Sequence, residues 1–294
     1  MANTAKNTPI PLIPSIAPLS GNYDAWLCDI WGVLHNGVRI FEDACDAAVK
    51  FRRHGGVVVL ITNSPRPKPG VIEQYTALGV PDNAWDDVIT SGDVTRILIR
   101  EWLKTAASKK VYHLGPERDR PVFDGLDLEF TDMDKADIVV NTGLFDDTTE
   151  TPDDYHDHYR LFKSRRLKMI CANPDIKAER GNDVIYCAGG LAEAYSALGG
   201  EVVYAGKPHL PIYDIAFEMM KNVRGEDIAR NRILAIGDGI NTDMLGAANA
   251  DIDSLFVPSG VHVDRSRPLD GKHLAEIFEN SPHPPIAAQT GLKW

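Results

Sequence analysis

Along the chain, short apolar runs alternate with stretches whose apolar residues recur every three or four positions. That alternation predicts strand following helix and a mainly parallel sheet. The first run, residues 25–30 (AWLCDI), gives no regular polar position to solvent, so it predicts a buried strand ending in a polar loop. A helix is predicted over residues 43–54, stopped by His54, Gly55 and Gly56, and GVVVLITN then predicts a second buried strand that ends at Thr62 and Asn63. A helix over 68–79 and a short strand at 87–90 follow, and Ser91-Gly92-Asp93 leads into a long helix. Further strands are predicted at 110–114, 138–141, 168–172 and 201–204, then a helix at 209–223 and strands at 233–238 and 254–257. Residues 1–20 carry four prolines and no periodicity, which predicts an extended arm laid on the surface or left mobile; the tail after Ser281 reads the same way.

The length of 294 residues leads us to expect two domains or one large one, and 44% hydrophobic with 25% charged residues is the composition of a folded globular protein. Against 31 Lys and Arg stand 42 Asp and Glu, a formal charge of −11. Such a surface argues against nucleic acid or an anionic membrane as the main partner, and it requires that any anionic substrate be met by local positive charge. Cys28, Cys45, Cys171 and Cys187 form no CxxC pair and no zinc spacing, so they are expected to be reduced thiols. The N-terminus lacks the apolar core of a signal peptide and the run Val57 to Ile61 is too short to span a bilayer, so the expected location is the cytoplasm.

In an open parallel sheet the chemistry sits at the carboxyl ends of the strands. Four polar clusters fall there or at a helix start: Asp29-Ile30-Trp31-Gly32-Val33, Thr62-Asn63-Ser64, Gly206-Lys207-Pro208, and Gly237 to Asp243 with Asp238 and Asp243. Together they describe a phosphoryl-transfer site. A carboxylate, Asp29, is placed to attack phosphorus and split a difficult hydrolysis into two easier steps. Asp238 and Asp243 face it, and opposed carboxylates predict a hard divalent cation, Mg²⁺, between them. Thr62, the amides at Asn63 and the point charge of Lys207 would meet the phosphate oxygens.

On these residues the chain resembles the haloacid dehalogenase superfamily, specifically its class IIA branch of NagD-like sugar phosphatases, phosphoglycolate phosphatase and pyridoxal phosphate phosphatase. The resemblance implies a three-layer α/β/α core from residues 21–91 and 204–294, an inserted α/β cap at 92–203, and a metal site of Asp29, the backbone carbonyl of Trp31, Asp238 and Asp243. It implies a small phosphorylated metabolite as substrate, with Asp29 as nucleophile and Lys207 as its catalytic partner. Caps of this branch often mediate dimers, which makes a homodimer one expected assembly. Asn173-Pro174-Asp175 resembles a segment common in these caps.

Trp31 departs from the pattern. Phosphatases of the superfamily carry a second aspartate there, which protonates the leaving oxygen and activates water, help worth typically about 10²–10⁴-fold. Dehalogenases of the superfamily have an aromatic residue at that place and attack carbon without metal, so two alternatives stand beside the phosphatase: carbon attack by Asp29, or a phosphometabolite-binding protein that turns over poorly. His35 is a candidate substitute acid. The acidic stretch Asp146 to His158 reads as a solvated helix start rather than a metal site, because Thr151-Pro152-Asp153-Asp154 is a capping sequence.

Overall fold

The computed structural model describes residues 9–180, 183–258 and 267–294. Strands β1 (Ala25–Asp29), β2 (Val57–Thr62) and β3 (Asp87–Thr90) come first. After the helix Ser91–Leu103 the chain builds β4 (Lys110–Leu114), β5 (Glu129–Phe130), β6 (Ile138–Asn141), β7 (Lys168–Cys171), β8 (Lys177–Arg180), β9 (Asp183–Tyr186) and β10 (Val202–Tyr204). It then returns through the helix Leu210–Arg224 to β11 (Ile233–Gly237), β12 (Asp253–Phe256) and β13 (Ala287–Ala288). Two parallel sheets result, ordered β13-β12-β11-β1-β2-β3 and β10-β7-β6-β4-β5, beside the antiparallel hairpin β8-β9. The fold is α/β, as the apolar alternation predicts.

The strands β1, β2 and β11 are buried along their whole length because both faces of the larger sheet are covered. In the larger sheet Trp26, Cys28, Val58, Leu60, Leu234 and Ile236 pack into one cluster, while Leu27, Val57, Val59, Ile61, Ile233 and Ala235 pack into another. Alternate residues of one strand thus feed opposite layers, which places helices on both sides. The second sheet divides likewise, Val139, Met169 and Cys171 against Ile138, Val140 and Ile170. The order of the larger sheet puts β1 at its centre between β2 and β11, with Asp29 level with Ile61. The last residues of β1, β2 and β11 therefore meet at one edge.

The arm and tail differ from expectation. From Ile13 onward the arm hydrogen-bonds along the tail, Ile13 N to Ala288 O at 2.9 Å and Ile16 N to Lys293 O at 2.8 Å, and Ala288 N returns a bond to Pro11 O at 2.9 Å. Ile10, Ile16, Ala288 and Leu292 are buried. Prolines mask this pairing in the sequence, yet a sheet edge tolerates their missing N–H, and a two-residue strand is too short to carry a period. Residues 1–8 of the predicted arm lie outside the described residues. Among the described residues no helix is long and apolar enough to cross a membrane.

Candidate active site

The four strand-end clusters converge. Asp29 closes β1, and Asp243 lies in a π-helical turn, Ile240–Met244, that follows β11. Gly237 lets that turn fold back, because a Cβ there would lie 2.2 Å from Asp243 Cγ. Asp29, Asp238 and Asp243 can each present a carboxylate oxygen within 4.8 Å of one another. Lys207 Nζ stands among them, donating to Asp29 Oδ1 at 2.6 Å and Asp243 Oδ1 at 2.8 Å. Asp29, Lys207 and Asp243 are at most 5% exposed, so these charges act at reduced dielectric.

Three carboxylates gather around one ammonium. Burial pushes the Asp29 carboxyl upward against the pull of Lys207, and Asp243 and Asp238 add to the rise. Burial by itself would lower Lys207, but Asp243 and Asp29 outweigh it and hold the ammonium protonated. An all-oxygen donor set at this spacing fits a hard divalent cation, which Asp29, Asp238 and Asp243 would hold.

Asn63 fixes the lysine loop. Its Oδ1 accepts from Lys207 N at 2.8 Å, while its Nδ2 donates to Lys207 O at 3.2 Å and to Asp175 Oδ1 at 2.8 Å. The side chain is therefore occupied, leaving the backbone N–H of Asn63 as its means of meeting an anion. Thr62, at the end of β2, accepts at its hydroxyl from Ser64 N at 3.2 Å. Asp29, Thr62, Lys207 and Asp238 line one cleft of about 410 Å³, which Trp31 and Asp175 also wall.

Trp31 is half-buried and stacks over Gly37, where a Cβ would lie 2.5 Å from the indole and the backbone is left-handed at φ +82°. His35 meets Trp31 edge-on at 5.1 Å between centroids, and its Nδ1 accepts from Gly37 N at 2.9 Å. Burial lowers the imidazole to about 4, so it is neutral at physiological pH. His35 lines neither the main cleft nor the chamber next to it. It supports the Trp31 loop, and the expectation of His35 as substitute acid is withdrawn.

Sequence reasoning missed the hairpin β8-β9, whose Lys177 and Ala178 line the cleft, and the contributions of Glu193 and His209. Four-residue strands of mixed polarity give no period to find. Thr151 does cap with Asp154, as predicted, through reciprocal side-chain bonds. Asp147, in contrast, is not part of a solvated face: Arg180 grips it at 2.9 and 2.7 Å, and Arg118 joins them.

Asp119, which lines that neighbouring chamber, is raised to about 6 by burial against a reference of 3.8. An acid whose folded-state pKa is raised loses stability where it ionises, so the penalty is full above about 6 and vanishes below about 4. Asp119→Asn is expected to stabilise the protein by roughly 1–3 kcal/mol at pH 7 and by nothing measurable near pH 3.5. Denaturant titrations of both proteins at the two pH values check this, and equal gaps at both would refute it.

The fold and this carboxylate–lysine arrangement define a hydrolase of the haloacid dehalogenase type, and comparison with known proteins agrees. A family model described as haloacid dehalogenase-like hydrolase matches residues 26–129, and one described as HAD-hydrolase-like matches residues 204–280. The structure of a haloacid dehalogenase-like family hydrolase from Brucella suis 1330 is similar at 44% identity and a TM-score of 0.85, covering 96% of this chain and 100% of that one. The chain belongs to the haloacid dehalogenase-like hydrolases. Among curated relatives, the 5'-nucleotidase YutF of Bacillus subtilis is 27% identical over 263 residues, 89% of this chain and 94% of that protein. An acid sugar phosphatase of Staphylococcus saprophyticus is 25% identical over 248 residues, 82% and 88% of the two chains.

Proposed function

We propose that the protein is a cytoplasmic Mg²⁺-dependent phosphatase of a small phosphorylated metabolite, such as a sugar phosphate, acting through an aspartyl-phosphate on Asp29. The observation that carries this reading is the triad of Asp29, Asp238 and Asp243 around Lys207 at the mouth of the cleft. The names of the curated relatives, a nucleotidase and a sugar phosphatase, support it.

In this reading Asp29 Oδ attacks phosphorus, the ester P–O bond breaks, and the leaving oxygen takes a proton from water. Water then attacks the phosphorus of the aspartyl-phosphate, releasing phosphate and restoring the carboxylate. The Thr62 hydroxyl, the Asn63 backbone N–H and the Lys207 ammonium bind the phosphoryl oxygens, and Lys207 also orients Asp29. Mg²⁺ held by Asp29, Asp238, Asp243 and the Trp31 carbonyl would keep Asp29 ionised and offset charge on the phosphoryl group. Residues 21–91 and 204–294 serve as the core and residues 92–203 as the cap that excludes water and selects the substrate. A homodimer through the cap is part of the same reading.

Phosphate release from a panel of small phosphate esters and p-nitrophenyl phosphate, with Mg²⁺ and with EDTA, tests it. Turnover that requires the metal is the expected result. Carbon-directed hydrolysis that ignores EDTA would replace the reading with dehalogenase-like attack by Asp29. A folded, Mg²⁺-binding protein that releases no phosphate would make it a binding protein.

A further inference from the structure

A second chamber, about 330 Å³, adjoins the cleft: the two share Trp31, Thr62, Asp175 and Ala178 as walls. Three arginines from separate parts of the chain line it. Arg66 follows β2, Arg118 follows β4, and Arg180 ends β8. In a chain of net charge −11 such a concentration of guanidinium runs against the overall balance.

Three carboxylates, Asp119, Asp147 and Asp175, share that wall, but the pairing among them is uneven. Asp147 is gripped by Arg180 through both oxygens and also by Arg118, so one carboxylate serves two cations. Among the described residues Arg66 forms an ion pair with Asp119 alone, at 3.9 Å, and its guanidinium makes no hydrogen bond to them. Asp175, the third carboxylate on the wall, accepts from Asn63 at 2.8 Å. Fixed guanidinium forks with donors to spare are the groups that recognise carboxylate and phosphoryl oxygens in two-point geometry.

We propose that the chamber beyond Trp31 is the leaving-group subsite, and that Arg66 and Arg118 select phosphate esters whose leaving group carries a second anion, a carboxylate or another phosphoryl group. The inference deepens the phosphatase reading and rests on it. Trp31 then forms the partition between the scissile phosphoryl group and the distal anion.

The test uses ω-carboxyalkylphosphonates of two, three and four carbons, each beside the alkylphosphonate of the same length, in calorimetric titrations of the whole protein with Mg²⁺. At the length that spans the partition, the carboxylate is expected to raise affinity by about tenfold or more, the scale of charge-assisted pairing. Arg66→Gln and Arg118→Gln are each expected to bring that ratio toward one. A merely structural role for Arg118 and Asp147 would lower stability and leave the ratio intact. A ratio near one at every length, retention of the ratio in both variants, or no phosphonate binding at all overturns the proposal. Turnover of a phosphorylated hydroxy acid against a bisphosphate separates the two anion types. Hydrolysis without anion preference would sink this subsite and spare the phosphatase reading; a firm phosphonate ratio without hydrolysis would do the reverse.

Discussion

Asp29→Asn is expected to abolish phosphate release, by about 10⁴-fold or more, while the chain stays folded and at least as stable as wild type. The amide is nearly isosteric and keeps an oxygen for Lys207, which donates to Asp29 at 2.6 Å. It is a poor nucleophile and forms no aspartyl-phosphate under these conditions. Stability should not fall, because burial and the neighbouring acids oppose the charge on Asp29. Above the raised pKa the ionised carboxylate counts against the folded state, so a neutral residue relieves the protein there. Lys207 keeps Asp243 at 2.8 Å and is not left as a lone buried charge, the situation that costs several kcal/mol. Phosphate assays with a thermal melt beside them check both halves. Residual turnover within tenfold of wild type would remove Asp29 from the nucleophile role.

The second large effect is a gain. Trp31→Asp is expected to raise kcat toward poor leaving groups by about 10²–10⁴-fold, because it places a carboxyl group where protonation of the leaving oxygen occurs in the phosphatases this chain resembles. The increase should be smaller for p-nitrophenyl phosphate, whose leaving oxygen needs little protonation. Removing the indole exposes the ring of His35 and leaves Gly37 without the surface it packs on, so some loss of stability accompanies the gain. Trp31→Ala separates the two causes: it opens the same space without an acid. If Trp31→Asp and Trp31→Ala behave alike, space and not proton transfer is what the tryptophan controls.

How much of this could be read beforehand depended on the kind of signal. Strands such as Val57–Thr62 are buried on both faces, so every residue is constrained and their limits show in the apolar run. The candidate cluster of Asp29, Thr62, Lys207, Asp238 and Asp243 was legible because each member sits at a strand end or helix start, where short polar words interrupt apolar ones. The chamber was not. Arg66, Arg118 and Arg180 are 52 or more residues apart and none stands in a motif, so only folding brings them to one wall. Asp147 misled for a related reason: its neighbours Asp146 and Thr148 are exposed, and the arginine that covers it comes from β8, 33 residues on. His35, in the loop after β1, could serve as an acid or as a hydrogen-bonding loop residue, and its burial and its bond to Gly37 N make it the second.

Asn63 has a mechanical consequence. Its amide bonds both ends of the Lys207 peptide unit on one side and Asp175, in the segment between β7 and β8, on the other. Lys207 itself stands three residues beyond β10, the last strand of the second sheet in chain order, so a short segment joins that sheet to the backbone that carries the ammonium. With Asn63 as an anchor rooted at the end of β2, that backbone is held by two hydrogen bonds. The Asn63 bond to Asp175 ties the same anchor to the segment between β7 and β8. A change at Asn63 would therefore loosen the lysine loop and the β7–β8 segment together.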